Sequence, residues 1–540
     1  LITVTDMSLN LSGKTLYHDV NLKFTPGNCY GVIGANGAGK STFLKLLSGQ
    51  LTPTTGNISI DPHERMSQLV QDHFAFDDFT VMQTVIQGHK ELYRVMQAKD
   101  ALYAKPDFSD EDGLKVAELE AEFAEMDGWN AEANASQLLQ SLGIPESVHD
   151  TSMAELPEAD KVKVLLAQAL FDDPDILLLD EPTNGLDVHT ISWLENFLAD
   201  YDKIVIVVSH DRHFLNQVCT QMCDVDFGQI KLFVGNYDFW YESSQLAAQL
   251  AANQNAKKEE KIKELQAFIA RFSANASKHK QATSRKKQLE KITLDDIKPS
   301  LRKYPYVKFT QDRELGNDLL KVENVSYTLD GEKILDNVSF LIRPGEKVAF
   351  LSKDDMTTTV MLQIIAGALE PDEGTVTWGQ TASRNYMPKD LNAAFDNDEL
   401  TIIDWLRQFA SKEQNDNTFL RGFLGKMLFT GEEIDKQIKV LSGGEKVRCQ
   451  LAKLMLQQAN TLIMDDPTNH LDLESITSLN DAMVDFKGSI FFTSHDHDFI
   501  NTIANHIIEL GPKGYLNRPD MTYDEYLEHE TVQEQLNEIY

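Results

Sequence analysis

At 540 residues the chain is too long for one ordinary hydrophobic core, so two or three domains are expected. Its 42% hydrophobic and 25% charged residues are those of a soluble globular protein, and no stretch approaches the roughly 18 apolar residues of a membrane-spanning helix. A net charge of −34 argues against a generic nucleic-acid binder, because neutralising phosphates needs Lys and Arg.

The start, Leu1-Ile-Thr-Val-Thr, has no basic region ahead of an apolar stretch, so no signal peptide is expected. Cys29, Cys219, Cys223 and Cys449 show no metal-like or paired spacing and read as buried reduced thiols of a cytosolic protein. The first motif follows at once. Apolar Asn28–Ile33 reads as a buried strand, Gly34-Ala35-Asn36-Gly37-Ala38-Gly39-Lys40-Ser41 fits the P-loop pattern G-x-x-x-x-G-K-[ST], and Thr42–Leu47 reads as the following helix. The glycines let backbone N–H groups close around phosphates at a helix N-terminus. Lys40 adds a point charge on the β/γ-phosphates and Ser41 a hydroxyl for Mg²⁺, so ATP and Mg²⁺ are the expected ligands.

Gln71 lies in Val70-Gln-Asp-His, where it could sense metal and γ-phosphate or be an exposed loop glutamine. His89–Lys105 and Gly113–Met126 read as two helices around the turn-rich Pro106-Asp-Phe-Ser-Asp-Glu-Asp-Gly, forming an arm over about 88–135. That arm is either a surface elaboration or a docking element. Ile176-Leu-Leu-Leu-Asp180-Glu181 reads as a buried strand ending in two acids. These could be structural caps; after a P-loop, Asp180 can hold Mg²⁺ and Glu181 can polarise the attacking water. His210 follows an apolar strand, where a lone histidine is usually a satisfied core residue.

A basic segment comes next. Residues 251–308 hold 15 Lys+Arg against 6 Asp+Glu, which suits either a polyanion contact or a solvated charged helix. Gln245–Phe272 has helix formers with apolar Leu246, Leu250, Ile262, Leu265 and Ile269 at helical spacing. Ser273–Lys278 reads as a bend, and Gln281–Ile292 as a second helix ended by Lys298-Pro299. Exposed faces of this hairpin would carry Lys257, Lys258, Arg271, Lys278, Lys280, Arg285, Lys286 and Lys287.

Internal repetition fixes the architecture. Ile176–Asn184 matches Leu462–Asn469, and the Ser-His-Asp at His210 matches that at His495, with an offset of 285. At the P-loop the offset is 318, Lys40 aligning with Thr358, so the first copy carries 33 extra residues, which the arm accounts for. The repetition of the histidine favours a γ-phosphate contact.

These residues resemble the ATP-binding cassette superfamily, whose signature motif is seen in Leu441-Ser442-Gly443-Gly444-Glu445-Lys446, with Asp187 and Asp472 at its D-loop positions. The resemblance implies an α/β fold of two tandem P-loop NTPase domains joined by an α-helical hairpin linker, closing head to tail within a monomer. Each ATP is then gripped by one P-loop and the opposite signature, where Ser442 and the Gly443 and Gly444 N–H groups open a helix toward the γ-phosphate. Site one would combine Gly34–Thr42, Gln71, Asp180, Glu181 and His210 with Ser442–Glu445. Site two is broken on both sides. Its P-loop reads Ser352-Lys353-Asp354-Asp355-Met356-Thr357-Thr358-Thr359, Lys389 replaces Gln71, Asp466 replaces the second acid, and Leu156-Pro157-Glu158-Ala159-Asp160 replaces the signature. Unpaired carboxylates at Asp354, Asp355 and Glu158 would repel phosphate. One hydrolytic site beside one empty or very weak site is expected.

Ala270–Lys278, Gln281–Ile292 and Gly235-Asn-Tyr further resemble the ABC-F family, and its YbiT-type bacterial branch most. On that resemblance, residues 1–244 are a first cassette with its arm, 245–316 a basic linker, and 317–540 a degenerate second cassette. It implies a cytoplasmic ATPase bound near the ribosomal exit-site tRNA, with the linker approaching the P-site tRNA and rRNA and the arm meeting protein or RNA. The implied roles are translation regulation, stall rescue or ribosome protection against antibiotics. A soluble subunit of a membrane permease and a non-ribosomal ATP-gated scaffold are the alternatives. The adenine-stacking aromatic is expected near Leu11, with Tyr17 close by.

Overall fold

A computed structural model describes residues 1–272, 279–291, 302–395 and 399–540. The chain divides into two compact units. The first comprises Leu1–Pro182, Leu194–Ser209 and Leu215–Leu301; the second comprises Thr183–Trp193, His210–Phe214 and Arg302–Tyr540.

In the first unit, Ile176–Asp180, Ile204–Val208 and Cys29–Ile33 are almost wholly buried. Runs of Leu, Ile and Val without polar alternation suit parallel strands covered on both faces. They pair in parallel at the centre of a six-stranded sheet, ordered Met66–Gln68, Ile176–Asp180, Ile204–Val208, Cys29–Ile33, Gln221–Asp226, Gln229–Val234. Only the last pair is antiparallel. A three-stranded antiparallel sheet (Lys14–Phe24, Ile2–Leu11, Thr55–Ile60) shares with it a core that includes Tyr17, Phe24, Phe43, Leu178 and Ile206. Each fully buried aliphatic side chain here contributes about 1.5–3 kcal/mol.

The second unit repeats this plan strand for strand. Its six-stranded order is Arg384–Met387, Thr461–Asp465, Ser489–Thr493, Lys347–Leu351, His506–Gly511, Gly514–Pro519. Its antiparallel sheet is Glu332–Ile342, Leu320–Leu329, Glu373–Trp378. In both units the loops that carry the motifs leave the carboxyl ends of the central parallel strands, where open α/β sheets bind ligands.

The arm is two helices, Lys90–Tyr103 and Asp110–Glu125. The second begins three residues before the expected Gly113, because Ser109 and Asp112 form a capping box that starts the helix there. Lys99 joins the pair, its Nζ 3.0 Å from Glu120 Oε1 and 3.8 Å from the Phe123 ring centre.

The linker helices run Tyr237–Phe272 and His279–Lys291. The first starts eight residues earlier than expected, because Asn236 Oδ1 accepts the Phe239 N–H at 3.1 Å and caps it. The helices pack together, with the Arg285 guanidinium 5.5 Å from the Phe268 ring centre. Leu265 is buried, whereas Leu246 and Leu250 are more than half exposed. The expected bend at 273–278, with Lys278, and the stop at Lys298-Pro299 lie outside the described residues. Among the described residues no helix is long and apolar enough to cross a membrane. All four cysteines are buried thiols, and the Cys29 and Cys219 sulfurs lie 4.0 Å apart on neighbouring elements.

Candidate functional site

The strand Cys29–Ile33 delivers the chain into Gly34, where a Cβ would stand 2.7 Å from the Val225 carbonyl oxygen. Gly37 and Gly39 take φ of 81° and 103°, left-handed values that only glycine adopts without strain. Gly39 begins the helix Lys40–Leu47, and no side chain caps it. An uncapped helix start with Lys40 and Ser41 in its first turn is the donor set a phosphate needs. Ala35, Asn36, Ala38 and Thr42 complete the loop and the turn that follows it; Ala38 donates its N–H to Ala35 at 3.0 Å. Lys40 Nζ folds back 2.6 Å to the Gly34 carbonyl, the position it would vacate for a phosphate oxygen.

Tyr17 has a different part from the one its position suggested. It is fully buried, and its hydroxyl donates to the Gly39 carbonyl at 2.8 Å, so it braces the loop and cannot stack on a base. Leu11, the other expected position, is partly exposed.

The strand Ile176–Asp180 brings its terminal carboxylate to the same loop. Ser41 Oγ donates to Asp180 Oδ2 at 3.0 Å, and Gln71 Nε2 donates to the Asp180 carbonyl at 2.9 Å. Three segments 30 to 139 residues apart therefore converge where Mg²⁺ would sit. Among the described residues no group of three His, Cys, Asp or Glu could hold a metal unaided. A hydroxyl plus a carboxylate fits Mg²⁺, which takes one or two protein oxygens and fills its shell with phosphates and water. Glu181 follows at a left-handed φ of 50°, its N–H donating 2.8 Å to the Val208 carbonyl. Strained φ of this kind gathers at functional sites.

His210 opens His210–Phe214, a segment of the second unit. There Arg212 donates to Asn480 Oδ1 at 2.7 Å, and the His213 ring stacks on His497 at 3.8 Å.

The signature residues lie in the second unit. Ser442 caps the helix Gly443–Gln457 in a reciprocal box with Glu445, each backbone N–H meeting the other's side chain at 3.2–3.3 Å. Ser442 and Gly443 are exposed, so the helix start is open to a ligand. The glycines answer a neighbour that sequence reading missed: His470, at φ 68°. A Cβ on Gly443 would meet the His470 ring at 3.0 Å, and one on Gly444 the His470 carbonyl oxygen at 2.9 Å.

The carboxylates expected to stand unpaired have partners, which corrects that reading. Asp354 turns back to cap its own helix, accepting the Met356 N–H at 3.0 Å. Asp355 lies 3.0 Å from His495 Nε2 and 3.5 Å from Lys389 Nζ. The His495 hydrogen bond, chiefly, holds the Asp355 carboxyl below its ordinary range, and the same bond raises the imidazole. Asp466 shares the φ of 50° of Glu181, and burial pushes its carboxyl up, against the pull of His495 and Lys389. In the first unit Glu158 sits 3.2 Å from His73 Nδ1.

In the linker, Lys257, Arg271, Lys286 and Lys287 are exposed, Lys258 and Arg285 are half-buried, and Lys280 belongs to the second helix. Lys278 lies outside the described residues.

Comparison with known proteins bears on this arrangement. A model of the ABC transporter family matches residues 17–184 and 335–469, and a second model with the same description matches 223–309. The chain is 59% identical over 540 residues to "Uncharacterized ABC transporter ATP-binding protein YkpA" of Bacillus subtilis, covering 100% of both. It is 46% identical to "Probable ATP-binding protein YbiT" of Escherichia coli O157:H7, over 99% of this chain and 100% of that one. With "ABC transporter F family member 2" of Arabidopsis thaliana it shares 31% identity over 96% of this chain and 77% of the other. The fold also matches that of archaeal ribosome recycling factor aABCE1, crystallised with stalk protein aP1, at a TM-score of 0.60, 16% identity and 99% coverage of each chain. With both cassettes, the linker and the full length accounted for, the chain belongs to the ABC-F family of tandem ATP-binding cassette proteins.

Proposed function

We propose that this protein is an ATPase with one competent composite site and that it works on the ribosome. The observation that carries the first part is the convergence of Ser41 and Gln71 on Asp180, beside an uncapped P-loop helix. In the other half the equivalent helix is capped by Asp354 and has no lysine at Thr358.

In this reading Gly34–Thr42 grip the phosphates through backbone N–H groups and the Lys40 ammonium. Ser41 and Asp180 hold Mg²⁺, with Gln71 reporting on its occupancy. When bound, Mg²⁺ neutralises charge building on the transferred phosphoryl oxygens. Glu181 orients and polarises the attacking water, and His210 donates to the γ-phosphate. Ser442, Gly443, Gly444 and Glu445 close the site from the second cassette, adding a helix N-terminus to the opposite side of the phosphate.

The ribosomal part rests on family membership and on local charge. The stretch 251–308 carries 15 basic and 6 acidic residues inside a strongly acidic chain, the footprint of a contact with rRNA or P-site tRNA. The arm, 88–135, holds 12 acidic and 5 basic residues, which favours a basic protein surface there. Translation regulation, stall rescue or ribosome protection, in the cytoplasm, is the corresponding job. Co-sedimentation with ribosomes tests it: a Glu181→Gln variant with ATP should enrich in the ribosome pellet. Retained ATP binding without enrichment would refute the ribosomal reading and leave the ATPase reading standing.

A further inference from the structure

In the second cassette, three residues at repeat-equivalent positions of the first site's phosphate-binding set contact one another. Asp355 is the repeat counterpart of Gly37, Lys389 of Gln71, and His495 of His210. In the first half those three positions are a loop glycine, a metal sensor and a γ-phosphate donor. In the second, a carboxylate stands where the glycine was, and the two other positions are a lysine and a histidine whose imidazole pKa that carboxylate raises. Asp355 Oδ1 lies 3.0 Å and Oδ2 3.1 Å from His495 Nε2, and Oδ2 lies 3.5 Å from Lys389 Nζ.

The backbone donors of the degenerate loop are satisfied in the same way. Lys353 donates its N–H to the Tyr540 hydroxyl at 3.0 Å, and that hydroxyl in turn donates to Glu509 Oε2 at 2.6 Å. Asp354 N–H meets Ser352 Oγ at 3.3 Å, and Met356 N–H meets Asp354 Oδ1 at 3.0 Å. The amides of Lys353, Asp354, Met356 and Thr357 thus have acceptors within the chain. A loop that had merely decayed would leave these donors to water. Supplying an anion, a cap and a hydroxyl at successive positions amounts to replacing the nucleotide.

We propose that Asp355 is a built-in anion that stands in for a nucleotide phosphate in the second cassette, tying His495 and Lys389 together so that this half is liganded permanently by its own chain. The inference rests on the reading of the second half as non-hydrolytic, and adds why that half keeps one conformation without ATP. Closure of the two cassettes then answers to ATP at the first site alone. Asp466 also faces this cluster: burial, Asp465 and Asp355 push its carboxyl up, and His495 and Lys389 pull it down.

The test uses the full chain in a Lys40→Ala background, which removes the first P-loop's own affinity for phosphate. Two variants are compared with that parent: the isosteric Asp355→Asn, which keeps the shape, and Asp355→Gly, which empties the position. The His495 imidazole, assigned by a His495→Gln control, should titrate at lower pH in the Asp355→Asn protein. The Asp355→Gly protein should melt lower than its parent and be restored by inorganic phosphate at a concentration at least tenfold below any that affects the parent. Unchanged His495 titration in Asp355→Asn, or equal phosphate responses of the parent and Asp355→Gly, would overturn the proposal. Its failure is separable from that of the single-site reading. Turnover surviving Lys40→Ala would defeat the latter without moving the His495 titration.

Discussion

Replacing Tyr17 by Phe removes one oxygen from the wall of the P-loop and nothing else. The ring is fully buried and meets Phe43 edge-on with centroids 6.5 Å apart, so Phe keeps the apolar burial and leaves no cavity beyond the hydroxyl. What is lost is the hydrogen bond to the Gly39 carbonyl, 2.8 Å long. A stranded buried partner costs about 1–3 kcal/mol. The Gly39 carbonyl also accepts the Phe43 N–H at 2.9 Å, so it keeps one bond, and the lower end applies, about 1 kcal/mol. For a cassette-sized unit that corresponds to a fall in Tm of about 2–4 °C. If the whole loss appeared as poorer preorganisation of the loop, ATP would bind about fivefold more weakly. Burial raises the phenol's pKa, so it remains a donor across the neutral range and the effect should not vary with pH there. Thermal melting together with titrations of ATP and of inorganic triphosphate measures both quantities. An unchanged Tm with a loss confined to ATP and absent for triphosphate would show Tyr17 contacting the base, and the bracing role would be wrong.

Two further outcomes follow from the second unit. Gly444→Ala places a Cβ 2.9 Å from the His470 carbonyl oxygen, backbone that cannot swing aside, so the unit should lose about 1–3 kcal/mol. ATP turnover should fall while ATP binding to the first P-loop persists; a variant with unaltered turnover would contradict the close packing of the signature on His470. The Asp355–His495 pair should impose a pH window on stability. Asp355 is held below its ordinary pKa, so its contribution is present above the unfolded carboxylate value and lost as pH falls through the lowered folded value. His495 is raised, so its contribution is complete below the unfolded imidazole value and lost as pH rises through the raised folded value. The Tm penalty of Asp355→Asn should therefore be greatest in mildly acidic solution and shrink toward both extremes. A penalty constant with pH would mean that charge is not what the pair contributes.

The parts of this molecule that could be read from sequence are those where backbone geometry dictates residue type locally. Gly37 and Gly39 need left-handed φ, Ile176–Leu179 need burial on both faces, and Ser442 with Glu445 spells a capping box three residues apart. The repeat offset carried the architecture, since one strand order serves both units. Helix starts were read late at Gly113 and Gln245, because Ser109 and Asn236 cap from within segments that look like loops. The pairing of Asp355 with His495 and Lys389 was not legible at all. Its three members are 34 to 140 positions apart, and nothing in a lone acidic residue tells whether a cation waits across the sheet. The bracing role of Tyr17 and the packing of His470 are hidden for the same reason: each acts on a glycine motif through space, with ordinary neighbours in the chain.

The central claim is that the chain holds one working nucleotide site. Counting ATP molecules bound per chain in the Glu181→Gln variant, by equilibrium dialysis with Mg²⁺ at saturating ATP, tests it most directly. The account predicts one. Two per chain would contradict it, because Thr358 offers no ammonium and Asp355 already occupies the place of phosphate.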